Sequence, residues 1–202
     1  MLSFDARVML RPSRAFRDRS VAAGASLWTA TRRPLFLTLV LATSVSILAS
    51  GGVTARIVGP AAIYWILVPL IELTALAAIV GSRWRRLPVF AVVDAFFAGH
   101  GPWVILLIVL GLTIPALGPA EVFPALIRLA VIAVPLVLAW SAWIDVCFFR
   151  DTIGESRGRA VADALLTRLL TWPIVFGLFA VPGMTPVSIT REIAEALAEI
   201  LR

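Results

Sequence analysis

The 202-residue chain contains no lysine, asparagine or glutamine, so all 18 of its basic residues are arginine. It holds a single histidine, His100, and a single cysteine, Cys147. One cysteine cannot form an internal disulfide, and these two residues supply too few ligands for a thiolate-rich or histidine-rich metal site. We therefore expect neither a metal nor another cofactor.

The net charge of +6 gives little support to nucleic-acid binding. The arginines are spread over several loops, whereas phosphate tracking requires one basic stripe interleaved with aromatic residues. We attribute the all-arginine composition to codon bias in a GC-rich genome. No nucleic-acid partner is expected.

Most of the chain consists of long apolar runs. Hydrophobic residues make up 60% of it and the mean hydropathy is +0.97, whereas about half of a typical soluble domain is apolar. Since roughly 20 apolar residues cross the hydrocarbon layer as a helix, we predict an all-α integral membrane protein. Its membrane domain, residues 34–182, is predicted to contain five transmembrane helices, at 34–55, 60–82, 102–117, 124–149 and 160–181.

Residues 1–33 precede the first predicted span and carry seven arginines. An arginine excess beside a span keeps that side in the cytoplasm, so we predict a basic cytoplasmic N-terminal segment. The apolar run after it is longer than the h-region of a cleaved signal peptide, which we therefore do not expect. With five spans the C-terminus lies outside the cell membrane, or in the periplasm if the membrane is an inner one.

Two groups of arginines are predicted to contact anionic lipids of the cytoplasmic leaflet, where each basic residue contributes about 1 kcal/mol. The first group recurs at helical spacing before span 1, and the second follows span 2. A solvated segment that only sets orientation is the alternative for the first group. The predicted lipid contacts are Arg7, Arg11, Arg14, Arg83, Arg85 and Arg86.

Residues 183–202 are too polar to span a membrane and show an amphipathic pattern. Four apolar residues repeat at helical spacing and three glutamates occupy a separate face. We predict an external amphipathic helix that packs on the protein itself or on a partner. The apolar positions are Ile189, Ile193, Leu197 and Ile200, and the acidic ones are Glu192, Glu195 and Glu199.

A stripe of small residues runs along span 1. Thr38, Ala42, Ser46 and Ser50 fall four apart and therefore share one helix face. Small residues let another helix approach closely in a membrane. We predict a helix-packing face there, within the chain, in a homo-oligomer or against a membrane-protein partner.

Residues 87–100 are too short and too polar to cross the bilayer, because only 14 residues are available and Asp94 lies among them. We predict an interfacial or re-entrant helix on the cytoplasmic side. Asp94 and His100 are six residues apart, which places them on different faces of a continuous helix. They could meet only if the chain turns at Gly99.

Glu72 is the deepest ionisable residue of the predicted spans, at the middle of span 2. A charge at that depth is by default a candidate ion, proton or substrate site. A protonated glutamate that holds helices together by hydrogen bonds is the alternative. Asp145, near the inner end of span 4, is expected to pair with Arg150, and the candidate intramembrane polar site comprises Glu72, Asp94, His100 and Asp145.

Two tryptophans, Trp140 and Trp143, lie at the level of Asp145 and are predicted to anchor the protein in the headgroup region. The nearby Gly154–Gly158 segment, GESRG, matches the G-x-S-x-G pattern of hydrolases. That pattern requires a preceding strand and a downstream histidine, neither of which this loop between spans offers. We do not expect an enzyme.

The layout resembles the Yip family of five-span membrane proteins. The residues that carry the resemblance are Pro12–Phe16, PSRAF, before span 1, and Pro102–Trp103 after a basic loop and an apolar stretch. The resemblance implies a role in membrane trafficking through small GTPases for the eukaryotic members and no agreed activity for the bacterial ones. It implies no site residue.

Two functions remain open at this point. The first is a non-enzymatic membrane-embedded adaptor that organises lipids or a partner protein. The alternative is a small transporter or proton-relay subunit of a membrane complex that uses Glu72, although no inverted repeat is visible.

Overall fold

The computed structural model describes residues 4–19, 26–117 and 119–180, and within them every regular element is helical. The predicted amphipathic helix at 183–202 lies outside these residues. The α-helices are α1 (Phe4–Leu10), α2 (Pro12–Arg19), α3 (Leu27–Ser50), α4 (Ala55–Trp65), α5 (Leu67–Val80), α6 (Val89–Ala98), α7 (Gly101–Thr113), α8 (Pro119–Asp151) and α9 (Arg157–Ala180). A 3-10 turn follows α5 at Gly81–Arg86, and another follows α7 at Ile114–Ala116.

Several of these helices have membrane-spanning length and composition. Leu27–Leu48, Ala55–Arg86 and Ile127–Asp151 are each long and apolar enough to cross, and α6 with α7 adds a fourth crossing if this bent pair is one span. An all-α protein with apolar membrane-length helices is thus confirmed.

The first membrane helix starts earlier than predicted. α3 begins at Leu27 rather than near residue 34, because Ser26 caps it by accepting a hydrogen bond from the Thr29 N–H at 3.4 Å. Pro34 therefore lies inside the helix and not in its first turn. The added turns carry Arg32 and Arg33 into the helical region.

The second span is interrupted between α4 and α5 at Ile66. Pro69 lacks an N–H, so it cannot bond to the carbonyl of Trp65, four residues earlier. The interruption falls where this hydrogen bond is missing, and Glu72 lies in the apolar helix that follows it.

α6 lies inside the helix bundle. Seven of its ten residues are buried, including Asp94 and the adjacent Phe96 and Phe97. Its axis and that of α7 form an angle of 44° at Gly99–His100, the geometry of a broken span or a re-entrant loop. Of the two predicted alternatives, this burial favours the re-entrant helix over one lying flat at the interface.

The N-terminal hairpin, which comprises α1 and α2, is docked on the core. Phe16 is only 1% exposed, and its ring meets that of Phe148 edge-on at 5.8 Å between centroids. The Trp140 indole N–H donates to the carbonyl of Met9 at 3.0 Å. This segment is therefore neither a solvated tail nor a helix held on the bilayer by its charges alone. Trp140 contributes to its docking, and the headgroup anchoring of Trp140 and Trp143 stays a prediction.

The predicted packing face of α3 lies mostly inside the bundle. Thr38, Ala42 and Ser46 are buried, whereas Ser50 is exposed. The Ser46 hydroxyl donates to the Gly52 carbonyl and accepts from the Thr54 N–H, both at 2.9 Å. These bonds shape the turn that brings α4 back against α3.

Candidate functional site

Four ionisable side chains from four segments of the bundle meet in its interior. Glu72 comes from α5, His100 from the α6–α7 junction, Asp145 from α8 and Arg168 from α9. We call these four residues the polar cluster. The arginine-rich end of the bundle is formed by the N-terminal hairpin, the 3-10 turn Gly81–Arg86 and residues 152–156.

The polar cluster lies well below the arginine-rich end. Counting from the adjacent ends of α5, α8 and α9 at about 1.5 Å per residue, its charged residues are about 9 to 16 Å deep. The hydrocarbon layer is about 30 Å thick. At this depth water does not solvate a charge freely, so each charged group depends on its protein neighbours.

His100 joins the α6–α7 junction to Glu72. Its Nε2 lies 3.0 Å from Glu72 Oε1 and 2.9 Å from Oε2. The ring stacks on Phe97 at 5.2 Å and meets Phe96 edge-on at 5.4 Å, centroid to centroid. These aromatic contacts hold the imidazole against the carboxylate.

Two glycines make room for His100. A Cβ at Gly99 would lie 3.2 Å from Ile144 Cγ2 of α8, and a Cβ at Gly101 would lie 2.7 Å from Met9 Sδ of α1. The absence of side chains at these positions lets α8 and α1 approach the junction from two sides. The chain can therefore bend at His100 without opening the core.

Arg168 bridges the two carboxylates. Its Nη2 and Nε lie 2.6 Å and 2.7 Å from Asp145 Oδ2, and its Nη1 lies 3.6 Å from Glu72 Oε1. A guanidinium stays charged under all ordinary conditions. With both carboxylates ionised, the polar cluster carries one negative charge when the imidazole is neutral, and none when one further proton is bound.

One nitrogen of the histidine is left without a partner. His100 Nδ1 is buried and has no hydrogen-bond partner among the described residues. His100 also lines a cleft of about 520 Å³ that extends to Asp5, Arg32 and Arg33. The imidazole thus lies between a cleft leading toward the arginine-rich end and a buried carboxylate.

Asp94 belongs to a different group of charges. It is paired with Arg33, and Arg32 Nε lies 3.8 Å away. Arg33 also holds Asp5 of the N-terminal hairpin at 2.6 Å. Asp94 therefore pairs with arginines that line the cleft.

The expected pair of Asp145 with Arg150 is wrong. Asp145 binds Arg168, whereas Arg150 binds Asp151 at 2.7 Å and the Ser13 hydroxyl at 2.7 Å. Residues five apart on a helix point about 140° away from each other, so Asp145 faces the bundle interior while Arg150 faces the hairpin.

Arg168 is the member of the polar cluster that sequence reasoning missed. Its position in the first turns of the last predicted span, 160–181, is typical of a basic residue near the cytoplasmic interface. A usable signal was its depth, since it follows the start of α9 by eleven residues. An arginine so far inside an apolar helix normally requires a buried partner.

The arginines predicted to contact lipid divide into two kinds. Arg83 is already engaged in ion pairs, because it binds Glu155 and lies 3.3 Å from Asp163, and its contact with lipid stays a prediction. The other five have exposed side chains: Arg7, Arg11, Arg14, Arg85 and Arg86.

Comparisons with known proteins give no assignment. No family model, no curated protein and no solved structure matches the chain. The resemblance to the Yip family therefore stays a prediction. Within the part of the chain that the structure describes, no three metal-binding side chains come together in a way that could hold a metal ion.

Proposed function

We propose that the chain is a small transporter or proton-relay subunit in the cell inner membrane, and that the Glu72–His100 pair carries the proton. The observation that supports this best is the position of His100. One imidazole nitrogen touches a buried carboxylate, and the other is unpartnered on a ring that lines a cleft. Ionisable residues at membrane depth commonly mark proton or substrate pathways.

The proposed topology has five spans, with the N-terminus in the cytoplasm and the C-terminus outside. α9 is the fifth span in this proposal. Its 24 residues are about 36 Å long, and the charge of Arg168 is directed to Asp145 and Glu72 within the bundle rather than to lipid.

The proton moves in two steps in this proposal. A neutral imidazole whose Nε2–H donates to ionised Glu72 first takes a proton on Nδ1 when the cleft admits water to this buried nitrogen. The imidazolium then gives its Nε2 proton to the carboxylate, which leaves a neutral ring protonated on Nδ1. The net charge of the polar cluster changes from minus one to zero, and Arg168 remains balanced by Asp145.

Proton flux into liposomes tests the proposal. The purified protein is reconstituted with a pH-sensitive dye inside the vesicles, and a potassium diffusion potential drives the protons. Wild type should acidify the lumen faster than empty vesicles. Glu72→Gln and His100→Gln should reduce the rate to that of empty vesicles.

The matched control is Asp163→Asn, which removes a carboxylate near the start of α9 without touching the polar cluster. It should conduct like wild type. If Glu72→Gln conducts normally while folded and inserted, the carboxylate is a structural hydrogen-bonding group and the relay is refuted.

A second function is favoured by a different observation. Arg7, Arg11 and Arg14 are exposed on a hairpin that is fixed to the bundle by its opposite face. A basic surface held in this way suits a non-enzymatic adaptor that organises lipids or a partner protein. A photo-crosslinking residue in place of Arg11 tests it in membranes, where adducts with lipid or with a partner protein support the adaptor and their absence contradicts it.

A further inference from the structure

The N-terminal hairpin contains a basic cleft that the proton relay does not use. The cleft has a volume of about 470 Å³. Three guanidinium groups and one carboxylate surround it, so its formal charge is positive. The lining residues are Arg7, Leu10, Arg11, Arg14, Ala15 and Asp18.

The side chains of the three arginines of this cleft do not stabilise the described part of the fold through ion pairs. Among the described residues none of them forms an ion pair, whereas Arg33, Arg83 and Arg168 each bind a carboxylate. Three unpaired positive charges side by side repel one another. An anion in the cleft would remove that repulsion.

The cleft is already shaped before any ligand binds. On the opposite side of the hairpin Val8 and Phe16 are buried, and Ser13 accepts a hydrogen bond from Arg150 at 2.7 Å. The backbone that carries the arginines is therefore held by the core. A preorganised site loses less conformational entropy on binding than a free segment does.

The chemistry of the cleft selects a phosphate attached to an apolar group. Guanidinium groups bind phosphate oxygens through paired N–H donors. Leu10 lies beside them with 62% of its surface exposed, which is unfavourable in water but favourable next to acyl chains. The hairpin adjoins the ends of membrane helices, where lipid headgroups are found.

We propose that this cleft binds the phosphate of an anionic phospholipid in the leaflet beside it. The inference gives the adaptor function a ligand and rests on that function, but it does not depend on the proton relay. A single lipid held there by three arginines would be a defined binding site and not a diffuse attraction to the bilayer.

Native mass spectrometry of the full chain in detergent tests the site. Phosphatidylglycerol should give a retained adduct, and phosphatidylcholine of the same chain length should give far less. The triple variant Arg7→Gln, Arg11→Gln, Arg14→Gln should weaken phosphatidylglycerol binding about a hundredfold, or roughly fivefold for each arginine. Its midpoint of thermal unfolding without lipid should not fall, because the three side chains are exposed and their mutual repulsion is removed.

The control is a second triple variant that removes the same charge from exposed arginines elsewhere, namely Arg56→Gln, Arg128→Gln and Arg157→Gln. It should bind the lipid like wild type. If both triple variants lose the lipid equally, only net charge matters and the site is refuted. If the hairpin variant keeps the lipid, the cleft is not the site.

Inorganic phosphate and glycerol 3-phosphate distinguish the two possible sources of the anion. At equal concentration neither should displace phosphatidylglycerol, since neither offers acyl chains to Leu10. Full displacement would overturn the lipid assignment in favour of a soluble phosphate. Proton flux in the hairpin variant should remain, so that the lipid site and the relay can fail separately.

Discussion

Removing Arg168 tests the energetic role of the polar cluster. Arg168→Met keeps most of the aliphatic side chain but removes the guanidinium that lies 2.6 Å from Asp145 and 3.6 Å from Glu72. Two buried carboxylates would then share the site with only His100 as a hydrogen-bond donor. We expect a large loss of stability and a partial recovery when one carboxylate is also removed.

The magnitude follows from the two short contacts. A hydrogen bond to a charged group contributes about 1.5–3 kcal/mol; Arg168 donates one to Asp145 through Nε, and its Nη2 adds an ion-pair contact at 2.6 Å. Breaking a buried ion pair by removing one partner costs about 3–5 kcal/mol. Arg168→Met should therefore lower the free energy of unfolding by about 4 kcal/mol, and Asp145→Asn in that background should restore about 2 kcal/mol.

The test is a double-mutant cycle. Unfolding in mixed micelles, followed by the fluorescence of the seven tryptophans, measures the stability of wild type, Arg168→Met, Asp145→Asn and the double variant. The Arg159–Asp163 pair on α9 serves as control, because its Arg159 side chain is 62% exposed and the ions are 3.8 Å apart. Its coupling energy should stay below about 0.5 kcal/mol. If the effects of Arg168→Met and Asp145→Asn simply add, the two residues do not form a coupled buried pair.

Three further outcomes are expected. The double substitution Ala42→Leu, Ser46→Leu should lower the free energy of unfolding by about 1–3 kcal/mol, because both positions are buried in a helix contact. The exposed control Leu39→Ala should have little effect. Equal effects would contradict the packing face. Phe16→Ala should cost about 3–5 kcal/mol and release the hairpin from the core, so that trypsin cuts its backbone after the arginines. Unchanged protection would show that other contacts hold the hairpin. A reporter fused after Arg202 should be found outside the membrane, and a cytoplasmic signal would exclude five spans.

Hydropathy predicted the membrane-spanning helices because the free energy of transferring a segment from water into the bilayer depends on its amino-acid composition. Helix boundaries were less accurate where local hydrogen bonds decided them. Ser26 extended α3 toward the N-terminus, and the missing N–H of Pro69 split the second span at Ile66. Both effects depend on single donors or acceptors, which hydropathy does not count.

The partners of the buried charges could not be read from spacing along the chain. Glu72 was identified by its depth, but the two groups that meet it, His100 and Arg168, come from two other segments. His100 is 28 residues from Glu72, and Asp145 is 23 residues from Arg168. Such contacts depend on how the helices pack, which the periodicity of one helix does not specify.

The sequence of the N-terminal segment does contain a pattern that predicts its docking, an apolar face between the arginines. Phe4 and Val8 are four residues apart, as are Pro12 and Phe16, so each short helix has an apolar face opposite its charges. That face packs on the core. The number of arginines predicts which side of the membrane the segment lies on, but it does not show that the apolar positions between them form a packing face.

The docking of the hairpin also sets an order of events during biosynthesis. Trp140 binds the carbonyl of Met9 across 131 residues of chain, so the ribosome makes the hairpin first and its receptor much later. At about 5–20 residues per second, the nascent hairpin waits about 7 to 26 s before α8 exists. Phe16 has no Phe148 to pack on for that time, and a chain that stops before α8 never forms this contact. Docking of the hairpin through Phe16 and Met9 is therefore completed only after translation has passed α8.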